Sequence, residues 1–66
     1  MLSARNQFEG VVKSVTLGGI MAEVVVSVWS IEIVSAITRT SAQNLKLQVG
    51  DRVKAIIKST EVIIDK

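Results

Sequence analysis

From Ala22 to Val28 every second residue is apolar: Ala22, Val24, Val26 and Val28 share one phase of a two-residue period, and Met21, Glu23, Val25, Ser27 and Trp29 take the other. Successive side chains of a strand point to opposite faces, so this spacing predicts a strand over about 20–28 with one wholly apolar face against a core. Its mixed opposite face suits a surface partly covered by another subunit. The same period returns near the C-terminus. There Val53, Ala55 and Ile57 alternate with Arg52, Lys54, Ile56 and Lys58, which predicts a strand over 52–58.

The remaining elements follow from the same reading. A first strand is expected over about 7–15, with Phe8, Gly10, Val12 and Ser14 on one face and Val11 and Val15 on the other. Leu17, Gly18 and Gly19 then read as a tight hairpin turn in which the glycines take positive φ. A turn near Ser30 leads to a third strand over about 31–38. Ser41 reads as the start of a short helix spanning Ala42 to Leu47, and Gly50 with Asp51 as a turn. Ser59 and Thr60 end the fourth strand, and Val62 to Ile64 are expected to form a fifth. Three strands, a short helix and two strands make an all-β chain, a small five-stranded OB-like barrel with the helix between the third and fourth strands.

Residues 1–66 make a single domain, with no repeat, linker or low-complexity tract. A chain of 66 residues buries only about 60% of the surface its unfolded form exposes, and domains so small need reinforcement. Cysteine and histidine are both absent, which removes disulfides and most transition-metal sites. Strands apolar on both faces and a hydrophobic fraction of 48% therefore point to a homo-oligomer.

Several function classes recede. No residue offers imidazole or thiol chemistry, and Glu9, Glu23, Glu32, Asp51, Glu61 and Asp65 show no pairing that suggests acid–base catalysis, so an enzyme is not expected. Phe8 and Trp29 are the only aromatics and the net charge is +2, a poor basis for a nucleic-acid groove. No apolar run approaches the roughly 20 residues that span a bilayer, and no basic-then-apolar leader is present. No membrane partner is expected, and the expected location is the cytoplasm. What remains is a scattered set of donors: Ser3, Arg5 and Asn6 at the start, Thr38 and Ser41 near the helix, Lys58 and Ser59 after the fourth strand. Taken singly these are a terminal charge, a helix cap and an edge-strand charge.

The segments "SARNQFEGVV", "AEVVV" and "VGDRVKAIIKSTEVII" occur in that order across the chain, and together they resemble the molbindins, the small molybdenum-pterin-binding (Mop) proteins of the TOBE domain family. The chain departs from that pattern at "SVWSIEIV", where relatives tend to carry a Gly-rich hairpin. The resemblance implies a homo-hexamer, a trimer of dimers that often exchanges strands, and cytoplasmic storage or buffering of molybdate or tungstate without catalysis. It also implies an oxyanion site between two subunits. Carried onto this sequence, that site comprises Ser3, Ala4 through its backbone N–H, Arg5, Ser41 and Lys58, with Thr38 and Ser59 nearby. No organic cofactor is expected, and no metal is coordinated directly, molybdenum arriving as its oxyanion. A chain holding this domain alone suits a store better than a regulator or transporter ATPase, and Met1 just before the motif is expected to be its natural start. An OB-fold nucleic-acid module and a purely structural oligomer with a vestigial site are the competing readings.

Overall fold

The computed structural model describes residues 4–66. Its elements are β1 (Asn6–Leu17), β2 (Met21–Val28), β3 (Ile31–Thr38), α1 (Arg39–Asn44), β4 (Arg52–Ile57) and a 3₁₀ turn at Ser59–Glu61. The four strands form one antiparallel sheet in the order β3-β2-β1-β4. β1 serves two partners. Its first half runs along β4, from Asn6↔Ile57 to Val11↔Arg52, and its second half along β2, from Val11↔Ser27 to Leu17↔Ala22.

The alternation in β2 does what its spacing requires. Val24, Val26 and Val28 join Val12 as the buried cluster, with Val15, Ile33, Ile37, Leu47 and Val53 packed against it. Complete burial of a valine is worth about 1.5–3 kcal/mol, so this one row supplies much of the stability available to so short a chain. The phase expected for β4 also holds, Val53, Ala55 and Ile57 being half-buried and Arg52, Lys54 and Ile56 exposed.

β1 departs from its expected phase. The register slips between Val12 and Ser14, so that Val12 faces Val26 but Val15 faces Val24. Lys13 is the extra residue of a β-bulge, and beyond it the faces exchange. Val15 therefore shares the core face with Val12, and Ser14 turns outward beside Val25, the reverse of a straight alternation. Just before the bulge β1 passes very close to β2. A Cβ on Gly10 would stand 2.4 Å from the Ser27 carbonyl oxygen and 2.8 Å from a Val26 methyl, a gap only glycine can fill.

Three further expectations are corrected. Val62 to Ile64 do not form a strand: the chain leaves the 3₁₀ turn in an extended path and pairs with nothing among the described residues. β-branched residues favour a strand only where a ladder exists to join, and here Ile63 and Ile64 remain exposed. The described residues accordingly form four strands, not five, and among them β3 and β4 stay as the two edges of an unclosed sheet. Gly18 and Gly19 turn the chain without positive φ, whereas Gly50 has φ of 95°. The helix begins three residues earlier than expected. Thr38, still extended, is its N-cap and accepts from the Ser41 N–H, which puts Ser41 in the first turn. It also ends at Asn44 and not Leu47, because Lys46 adopts φ of 52° and the Lys46 and Leu47 amides bond back to Gln43 and Ala42. That is a Schellman closure, and it delivers Leu47 to the core.

Candidate functional site

Pairing of Asn6 with Ile57 makes neighbours of the residues just outside the two strands. Arg5 precedes β1, Lys58 follows β4, and both border a cleft of about 390 Å³ lined by Ala4, Arg5, Asn6, Lys58, Ser59 and Thr60. The Gln7 Nε2 donates to the Ala4 carbonyl at 2.7 Å, which ties the entering segment to the start of β1. The 3₁₀ turn does the same for the leaving segment, its Glu61 amide bonding to the Lys58 carbonyl at 2.9 Å.

Chemically this cleft is one-sided. It offers a guanidinium, an ammonium, two hydroxyls, a carboxamide and backbone N–H groups, with no carboxylate on its walls. None of the side-chain hydrogen bonds among the described residues engages Arg5, Lys58 or Ser59. The ion pair found among those residues, Lys13 with Glu32, lies elsewhere. Donors without partners on an exposed corner suit a tetrahedral dianion, whose oxygens only accept. A larger cleft, of about 620 Å³, carries Glu9 on its wall and suits such an anion less.

Of the residues nominated from sequence, Ala4, Arg5, Lys58 and Ser59 meet here, and Ser3 lies outside the described residues. Thr38 and Ser41 do not meet them. Thr38 ends β3 opposite Met21, at the far end of the sheet and on the far edge from β4. Its Oγ1 donates to the Ser41 Oγ at 2.8 Å and accepts from the Ser41 N–H at 3.1 Å. One chain therefore presents two separate donor groups at opposite corners. Asn6, counted from sequence only among the scattered donors, and Thr60, not counted among them, also line the cleft. Both sit inside the segments "SARNQ" and "IKST", and only the β1–β4 pairing reveals that they face the same space. No group of three His, Cys, Asp or Glu side chains able to hold a metal ion occurs among the described residues.

Comparison with known proteins adds a further finding. The TOBE domain family matches residues 2–64. The chain is 41% identical over 64 residues to molybdenum-pterin-binding protein 1 of Clostridium pasteurianum, covering 96% of this chain and 94% of that protein. It is also 41% identical over 63 residues to the molybdenum transport protein ModE of Herbaspirillum seropedicae, but it spans only 23% of that longer protein. Among solved structures, a molybdate-binding protein from Sporomusa ovata superimposes with a TM-score of 0.95 at 39% identity, covering 100% of this chain and 98% of that one.

Proposed function

The chain belongs to the TOBE domain family, and on that premise we propose that it binds molybdate or tungstate reversibly, without catalysis, at sites shared between subunits of a homo-hexamer. The observation that carries this reading is the cleft of Ala4, Arg5, Asn6, Lys58, Ser59 and Thr60, which is rich in donors and holds no carboxylate. Molybdate at neutral pH is a fully deprotonated dianion with four acceptor oxygens. Charge-assisted hydrogen bonds contribute roughly 1.5–3 kcal/mol each, so Arg5 and Lys58 with two or three neutral donors suffice for useful affinity. Hydrogenphosphate brings a proton that seeks an acceptor, and this set has few to offer.

The placement of the two donor groups supports sharing between copies. Arg5 with Lys58 and Thr38 with Ser41 stand at opposite corners of the sheet, so one anion can touch both groups only across a boundary between chains. The Arg5 corner supplies the charge in this reading, and the hydroxyl corner of a second copy completes the cage. Exposed apolar side chains on both sheet faces and on the tail, among them Val11, Val34, Ile63 and Ile64, give the copies a reason to associate. In this reading the chain serves as a cytoplasmic store or buffer of the oxyanion. Among the described residues no helix is long and apolar enough to cross a membrane.

Titration calorimetry with molybdate, tungstate and sulfate tests the proposal. The expected result is saturable binding of the first two, with sedimentation velocity returning a hexamer. No heat with molybdate, or a monomer throughout the micromolar range, contradicts it.

A further inference from the structure

The turn between β2 and β3 consists of Trp29 and Ser30, with Val28 opposite Ile31. Trp29 has φ of 53°, a left-handed backbone that bulky residues rarely adopt and that hairpins usually reserve for glycine or asparagine. The residue is 99% exposed. An isolated chain thus holds its only tryptophan in an unfavourable backbone conformation, and the indole touches nothing in return.

Beside this turn the sheet forks. Pairing of β1 with β2 stops at Val11↔Ser27, where β1 leaves to follow β4. The fork opens the cleft of about 620 Å³, bordered by Glu9, Val11, Ser27, Trp29, Arg52 and Lys54. Val11 is 42% exposed and gives an apolar wall. Arg52 and Lys54 project on the same phase of β4 and supply cations of the kind that an aromatic face attracts. Anchor and receptor therefore adjoin one another on one chain. A patch that carries both is self-complementary, the arrangement a twofold contact requires.

We propose that Trp29 is a self-association anchor: the indole of one copy seats in the cleft of a second, against Val11, Arg52 and Lys54, and the second copy returns the same contact. The partner is another copy of this chain, because the receiving groups adjoin the anchor and their cations complement its electron-rich ring. Burial of a tryptophan removes some 150–250 Å² from water, enough for one residue to dominate a small interface. The proposal rests on self-association but not on the anion reading.

The chain contains one tryptophan and no tyrosine, so its intrinsic fluorescence reports this side chain alone. Emission and acrylamide quenching are measured along a dilution series, in parallel with sedimentation velocity. In the assembled protein the indole should emit to the blue of the guanidinium-unfolded chain and resist quenching. Trp29→Gly, which takes positive φ freely, should keep its strand content by circular dichroism yet associate roughly tenfold more weakly or worse. Arg52→Glu, which alters the receiving wall on β4 and not the turn residues, should weaken association and redden the emission of the intact Trp29. Assembled protein with the emission of the unfolded chain overturns the anchor and leaves the hexamer standing, as does wild-type association of Trp29→Gly. Protection that arises only on adding a single-stranded oligonucleotide assigns the cleft to that partner and also overturns it. A chain that remains monomeric at every concentration overturns both the anchor and the hexamer.

Discussion

Where β3 runs into α1, Thr38 and Ser41 bond to one another, and the Thr38 hydroxyl also caps the helix. Where β1 begins and β4 ends, Arg5, Lys58 and Ser59 border an open cleft, and their side chains make no hydrogen bond or ion pair among the described residues. Both corners are polar and exposed, but the first set of donors has structural work to do in an isolated chain and the second has none. Residues of the second kind can be removed with little cost to folding, which separates a binding role from a structural one.

The sharpest way to break this contrast is to remove the unpartnered charges. Arg5→Ala and Lys58→Ala should each weaken molybdate binding about a hundredfold or more by calorimetry, because an enclosed dianion is left undercompensated. Their thermal unfolding should remain close to that of the parent protein. If either variant instead unfolds early or falls into smaller species, the charge serves an interface and the contrast fails. Arg5→Lys should retain part of the affinity, about tenfold below the parent, since an ammonium keeps the charge but not the planar donor fork.

Smaller effects sharpen the other corner. Thr38→Ala removes the cap and should cost about 1 kcal/mol in chemical denaturation. Ser41→Ala keeps the amide that bonds to Thr38, so its stability should stay within about 0.5 kcal/mol while anion affinity falls by roughly tenfold. Thr38 would then be mainly structural and Ser41 mainly a ligand, which divides a pair that geometry alone leaves joined. The smallest effect belongs to a control remote from both corners. Lys13 and Glu32 form an exposed ion pair, and Lys13→Met should change stability by no more than about 0.5 kcal/mol and leave binding unaltered.

Legibility in the sequence followed the physics of each element. Strict alternation through β2 and β4 identified the buried row because one face of each strand has no alternative to the core. β1 was misphased beyond Val12. A bulge adds a single residue, and Lys13 beside Ser14 carries no mark that tells a bulged run from a straight one. Val62 to Ile64 look like a strand by composition, but pairing is a property of neighbours, and no strand among the described residues pairs with them. The helix start differs because serine is the better cap by propensity, but threonine also caps well and the choice fell to the residue that ended β3. Arg5 and Lys58 could be nominated from their motifs. That they share a cleft depends on the β1–β4 register, which residue spacing does not encode. The opposite placement of Thr38 and Ser41 was likewise invisible until the sheet order was known.

Mixing two defective chains tests the shared site most directly. Arg5→Ala lacks one half of the proposed site and Ser41→Ala weakens the other. An equal mixture, unfolded and refolded together, pairs some intact Arg5 corners with intact Ser41 corners. With random pairing across a twofold boundary, about one quarter of the sites should regain parent-strength molybdate binding, as a high-affinity class in calorimetry that neither variant shows alone. A mixture that binds only as the sum of its two separate components would contradict a site built from two copies.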